Sequence, residues 1–242
     1  MNKSRALTLA RKELYQYLYM PSIYGAVVFF LLFCSMWTFF LQSYFASDQA
    51  TLRPYFATFP IFFILVIPVI TMKSWAEERK TGTVELLLTM PFSEWDLVIG
   101  KFLSVFGVLA AMLLLTLPVP LSLFRLGRFD TGLLLCEYSG ALLLGASACS
   151  LGLLFSSISK NQAGSFLGSV VILLVLMLIN QLAGRINIPY PFSRVINFIS
   201  LAYHYESFSR GIIDSRDVVF FVLTTFLFLY INTQVLLYRK WK

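Results

Sequence analysis

The chain has 242 residues, 58% hydrophobic and only 13% charged, with a mean hydropathy of +0.78. Ordinary soluble domains carry roughly a quarter charged residues, so bilayer is the solvent that fits. The net charge of +7 does not indicate nucleic acid. Its basic residues stand between long apolar runs and form no basic stripe on a polar domain.

Residues 3–18 read as a cationic amphipathic helix. Leu7, Ala10, Leu14 and Leu18 recur at helical steps, while Arg5, Thr8, Lys12 and Gln16 share the other face. Such a helix is expected to form an elbow over residues 1–20, lying in the interface plane with its basic face toward anionic headgroups. The alternative is a solvated N-terminal extension. Pro21 suits a sharp turn into the first span.

A spanning helix needs ~20 mainly apolar residues. Six stretches qualify: Ser22–Ser43, Pro54–Met72, Phe102–Phe124, about Leu133–Ser157, Asn161–Gly184 and Val218–Tyr238. The expected fold is therefore all-α, a single six-helix membrane domain over residues 1–242. With the N-terminus inside, 12 Lys and Arg residues fall on the inner side and 7 on the outer side. That bias places both termini in the cytoplasm.

Two connections are more than links. Residues 73–101 are the most polar part of the chain, with Thr81-Gly82-Thr83 as a breaker and residues 84–90 long enough for two helical turns. Ser93 with Asp96 three residues on has the pattern of a capping box opening the third helix. Pro118 and Pro120 are expected to kink that helix. The outer connection, residues 185–217, reads as one or two short helices that dip into the outer leaflet or cap the bundle. Asp214 and Ser215 are candidate caps for the last helix.

Sites of chemistry are few. Gly100-Lys101 lacks the glycine five positions earlier that a phosphate-binding loop needs, so ATP-driven work belongs to another subunit. Ser165 and the single histidine, His204, are expected at opposite sides of the membrane and cannot act as a catalytic pair. Glu77-Glu78 lacks the histidines a metal site would need. The three cysteines, Cys34, Cys136 and Cys149, read as small apolar core residues. Gly164 and Gly168 read as a helix-packing face, as do Ala148 and Gly152. Glu137 is an intramembrane carboxylate or a headgroup-level residue, with Arg125 or Arg128 as its expected partner.

The stretch from Glu77 through Glu78, Arg79, Lys80, Thr81, Gly82, Thr83, Val84, Glu85 and Leu86 to Pro91 resembles the signature of ABC-2 type transporter permeases, with Gly100-Lys101 following in the third span. His204–Val218 resembles the gliding-motility and nitrous-oxide-reductase maturation branch, and Leu151–Gln162 resembles the end of the family's fourth span. The resemblance implies an elbow helix, six spans, a coupling helix between spans two and three, and short outer helices before span six. It implies a homo- or heterodimer of permeases resting on two cytoplasmic ABC ATPase subunits in a bacterial inner membrane. ATP and Mg²⁺ would sit in those subunits, with no cofactor on this chain and no catalytic residues. Glu77, Glu78, Arg79, Lys80, Gly82, Thr83, Glu85 and Leu86 are then the expected ATPase-coupling residues, with Phe92 and Trp95 as apolar anchors. His204, Glu206, Arg210 and Asp214 are the expected outer gate or docking site for an extracytoplasmic protein. Membrane lipid is the remaining partner.

An ion-coupled secondary transporter is the alternative. It usually carries midplane charges and inverted repeats, and the sequence offers neither.

Overall fold

The structure, a computed structural model, describes residues 3–42, 51–82, 93–124, 130–185 and 190–240, with side chains over 6–42, 51–82, 93–124, 130–181 and 194–238. Twelve α-helices occur among the described residues: α1 Lys3–Leu18, α2 Pro21–Met36, α3 Arg53–Phe56, α4 Phe59–Thr71, α5 Lys73–Lys80 and α6 Glu94–Leu114. They continue as α7 Pro118–Leu123, α8 Thr131–Ile158, α9 Gln162–Arg185, α10 Tyr190–Ile199, α11 Leu201–Ser209 and α12 Ser215–Lys240.

Six helical stretches are long and apolar enough to cross a membrane: Pro21–Leu41, Arg53–Lys80, Glu94–Leu123, Thr131–Ile158, Gln162–Gln181 and Ser215–Tyr238. The six-span expectation holds, and the protein is a multi-pass membrane protein. Spans 2, 3 and 4 are more than single straight cylinders bounded by charge. Span 2 is assembled from α3, α4 and α5, with Pro68 inside α4. Span 3 begins at Glu94, eight residues before its first uncharged stretch, and breaks into α6 and α7 where Pro118 and Pro120 remove two amide donors. Span 4 starts N-terminal to Glu137, at Thr131.

Local chemistry fixes the ends. Ser93 Oγ accepts from Asp96 N at 3.2 Å while the Asp96 carboxylate accepts from Ser93 N at 3.4 Å, the expected capping box. Asp130 caps α8 through Gly132 N at 2.8 Å, and Ser200 caps α11 through Tyr203 N. Asp214 Oδ1 accepts from Arg216 N at 2.9 Å at the start of α12.

Span 4 is the hub. It packs against spans 2, 3, 5 and 6 and against α11. Its small residues allow this: a Cβ on Gly140 would meet Phe208 of α11 at 2.5 Å, on Gly145 Leu109 of span 3 at 2.4 Å, and on Gly152 Thr71 of span 2 at 2.3 Å. Small-residue interfaces of this kind let apolar helices approach where lipid offers no hydrophobic drive. Gly168 serves the expected packing role against Phe155, whereas Gly164 is exposed in the first turn of α9, beside its own cap Asn161.

The N-terminal helix departs from expectation in its rotation. Its buried stripe is Ala6, Leu9, Ala10, Glu13 and Tyr17, packed on α6, while Leu7 and Leu18 are exposed. The apolar pattern of Leu7, Leu14 and Leu18 marks a second face, and the protein-facing stripe contains an acid that apolar periodicity does not register.

Candidate functional site

The charged residues that resemble a coupling signature converge where the ends of span 2 and the start of span 3 meet α1. Span 2 has a joint at Met72, between α4 and α5. The first amides of α5 would lack partners there. Ser156 of span 4 supplies them: its hydroxyl oxygen accepts from Trp75 N at 3.0 Å and Ala76 N at 3.2 Å, and the hydroxyl donates to Met72 O at 3.2 Å. Lys73 donates to Ser22 Oγ at 3.2 Å, tying the same joint to the start of span 1.

Beyond the joint stands Lys101, 1% exposed on α6. Its ammonium has three N–H donors, and three acceptors face it: Glu78 Oε1 at 2.7 Å, Ser74 O at 2.9 Å and Glu13 Oε1 at 3.1 Å. The Trp75 ring lies 4.8 Å from Nζ, adding a cation–π contact. A buried ammonium is tolerable only when paired and hydrogen-bonded in this way. Lys101 thereby joins α1, α5 and α6.

Gly100, one residue earlier, makes the approach of α1 possible. A Cβ there would stand 2.8 Å from Leu9 Cδ2 and 3.2 Å from the Ala6 carbonyl oxygen. The Gly-Lys pair is thus a single device: the glycine admits the helix and the lysine fastens it. Beside it, burial pushes the Tyr17 phenol above its ordinary value, with the Glu13 charge adding to the effect, so the ring stays neutral against the carboxylate.

Arg79 takes the other side of α5. Its guanidinium donates to the carbonyls of Ser157 and Ser159, and to Ile158 O at 3.2 Å. These are terminal carbonyls of α8, which no intrahelical amide reaches, and a cation there complements the helix dipole. Glu78 and Arg79, expected to face an ATPase, therefore hold spans 3 and 4 together with span 2.

Glu77 is half-buried. Lys80, Thr81 and Gly82 are exposed at the tip, where Gly82, with φ at +72°, ends α5 in the left-handed region. Thr83, Glu85, Leu86 and Phe92 lie outside the described residues. Trp95, expected as an apolar anchor for the ATPase, packs instead on Phe226 and Tyr230 of span 6, with ring centroids at 5.9 and 6.1 Å.

At the opposite end, His204 is buried rather than presented outward. Its Nδ1 is 2.6 Å from Asp217 Oδ1, its Nε2 is 3.1 Å from Phe198 O, and its ring stacks on Phe220 at 3.8 Å. This binds α11 to the first turn of α12. Glu206 and Arg210 form an exposed pair one turn apart, at 2.5 Å. With Asp214, the four expected outer residues line one cavity of about 420 Å³. Burial also holds the Tyr205 phenol well above its ordinary value, and its hydroxyl donates to Phe56 O at 3.1 Å.

Glu137 is wholly buried, and neither carboxylate oxygen has a hydrogen-bond partner among the described residues. Packed protein therefore shields it from solvent. The Arg53 guanidinium at the start of span 2 is a cation whose field reaches it, while Arg125 and Arg128, its expected partners, lie outside the described residues.

The acid that sequence reasoning missed is Glu13. A signal was present: it is the only acid among residues 3–18, and it continues the Ala6, Leu9, Ala10 stripe at helical spacing.

A family model described as "ABC-2 family transporter protein" matches residues 7–238. The chain is also similar to "Probable multidrug ABC transporter permease YbhR" of Escherichia coli (strain K12), and to the protein of that name in Escherichia coli O157:H7. Each is 28% identical over 114 residues. The similar stretch covers 47% of this chain and 30% of either relative, so the chain corresponds to under a third of those proteins.

Proposed function

The chain belongs to the ABC-2 family of transporter proteins, and from that premise we propose that it is the non-catalytic permease subunit of an ATP-binding cassette transporter. Two copies, or this chain and a paralogue, rest on two cytoplasmic ATPase subunits in a bacterial inner membrane, both termini inside. ATP and Mg²⁺ bind the ATPases. Movement passes through the membrane to export cargo, or to act on an extracytoplasmic partner at the His204 end.

The observation that carries this reading is the three-way junction at Lys101. A push on the segment after Gly82 acts on α5. Lys101 joins α5 to α1 and α6, and Arg79 joins it to the end of α8. One displacement at the surface is thus shared by three spans, which rigid elements then convey to the far side. The exposed residues Lys80, Thr81 and Gly82, with the segment that follows them, are the part left to meet a motor, and charges there set register more than affinity.

The test is co-purification with the ATPase and stimulation of its hydrolysis. A Lys80→Glu/Glu85→Lys double reversal leaves the Lys101 junction intact and is expected to abolish both. Normal binding and stimulation by that variant would overturn the assignment. Glu78 reversal is a poorer test, because it breaks the junction itself.

A further inference from the structure

The end of the bundle that carries the Lys101 junction also has an open cleft between α12 and the turn from span 4 to span 5. Its volume is about 920 Å³, and its lining includes Arg79, Ile158, Lys160, Ile231, Gln234 and Val235. Ile158 and Ile231 are exposed large apolar residues on spanning helices, 46% and 36% accessible. That exposure is what a lipid-facing wall requires.

The polar content of the cleft is one-sided. The charged side chains of the lining, Arg79 and Lys160, are cations, Tyr238 adds a phenol, and no carboxylate lines the cleft among the described residues. The first turn of α9, which opens two residues after Lys160, holds no acid either. Arg79 is engaged with the carbonyls of α8 and contributes field rather than a donor. The Lys160 ammonium and the Gln234 amide are different: both are exposed, and neither has a hydrogen-bond partner among the described residues. They supply a point charge and a donor at the rim of a groove whose apolar wall is Ile158, Ile231 and Val235, with the Tyr238 ring beside them.

We propose that this cleft is a binding site for one anionic phospholipid, its phosphodiester held by Lys160 and Gln234 and an acyl chain lying along Ile158, Ile231 and Val235. A soluble phosphate would meet the cations but leave the apolar walls unoccupied. A zwitterionic lipid would fill the walls but bring its own cation to a basic rim. An anionic lipid satisfies both halves, and basic pockets between spanning helices are suited to such headgroups. The site goes beyond the permease assignment and requires no ATPase.

The purified chain in detergent would be titrated separately with phosphatidylglycerol, phosphatidylcholine and inorganic phosphate, reading retained lipid by native mass spectrometry and the shift in thermal unfolding. The expected result is retention and stabilisation by phosphatidylglycerol alone, weakened about fivefold in Lys160→Gln and reduced in Gln234→Leu. Lys80→Gln, which removes an exposed cation outside the cleft, is expected to leave binding unchanged. Equal retention of both lipids, an unaltered Lys160→Gln variant, or an equal loss in Lys80→Gln would overturn the site. Competition by inorganic phosphate would replace the lipid with a soluble anion and would also overturn it.

Discussion

Lys101 Nζ lies 2.7 Å from Glu78 Oε1, so an acid of the charged segment after span 2 is tied to the start of span 3. Both groups are largely withdrawn from water, and Glu13 shares the same ammonium at 3.1 Å. Removing one partner of a buried charge cluster leaves the others uncompensated, at a cost of about 3–5 kcal/mol. Lys101→Met leaves two carboxylates facing each other and is expected to be the most damaging single change here. Glu13→Gln keeps an acceptor and should be milder. Thermal unfolding in detergent ranks them; equal stability of Lys101→Met and the parent would remove the junction from the account.

Arg79 makes a second prediction, because its planar fork reaches three carbonyls at once. A lysine supplies the same charge from one point and cannot reproduce that spread. Arg79→Lys is expected to loosen the last turn of α8, at a cost of about 1.5–3 kcal/mol for lost charge-assisted hydrogen bonds. Hydrogen exchange across residues 154–159 reports it directly. Unchanged protection there would mean that backbone and solvent already satisfy those carbonyls.

What the sequence made legible follows from the strength of each physical signal. Apolar length alone located all six spans, because bilayer thickness imposes it. The Ser93–Asp96 cap was legible because both partners are local. Contacts between distant segments were not: the spacing of Glu13 with Ala6, Leu9 and Ala10 marks its face, but nothing in residues 3–18 identifies Lys101, 88 positions away, as its partner. The charged signature was visible, but whether its charges point outward or inward depends on packing. Glu78 and Arg79 turned inward, while Lys80, Thr81 and Gly82 are the exposed residues of the signature among those described. His204 was visible as a singular residue, while its partner Asp217 lies 13 positions on in the next helix, where packing alone brings the two together.

Two glycines, Gly152 in span 4 and Gly25 in span 1, predict opposite signs for one substitution. A Cβ on Gly152 would stand 2.3 Å from Thr71 Oγ1 and 2.9 Å from Thr71 Cβ, and Thr71 is itself fully buried. Gly152→Ala therefore overpacks the contact between spans 2 and 4, at a cost of about 1–3 kcal/mol. Gly25 in span 1 has nothing within 4 Å of the same position. Gly25→Ala should gain the ordinary helix preference for alanine, about 0.8–1 kcal/mol. Paired thermal unfolding curves of the two variants should move in opposite directions.

At the end of the bundle opposite Lys101, the His204–Asp217 contact at 2.6 Å bridges α11 and α12 while the ring stacks on Phe220. Asp217→Ala removes the acceptor and leaves a buried imidazole nitrogen without it, an expected loss of about 1–3 kcal/mol. Glu206→Ala breaks only an exposed pair and should cost under about 1 kcal/mol. Proteolysis or hydrogen exchange over residues 200–217 separates the two. If both variants open this segment equally, the outer helices are held by lipid rather than by the histidine.

Glu137 gives the last prediction, because its position is costly on every count. It is wholly buried in span 4, and its oxygens lack hydrogen-bond partners among the described residues. A polar group in that situation costs about 1–3 kcal/mol relative to a matched apolar one. Glu137→Met fills a similar volume without that cost and is expected to raise the unfolding temperature. A residue that lowers stability where it stands fits a functional task in another state of the protein better than a structural one. The same variant should then lose ATP-dependent work while binding its ATPase normally. A Glu137→Met protein less stable than the parent would show instead that the carboxylate holds the fold.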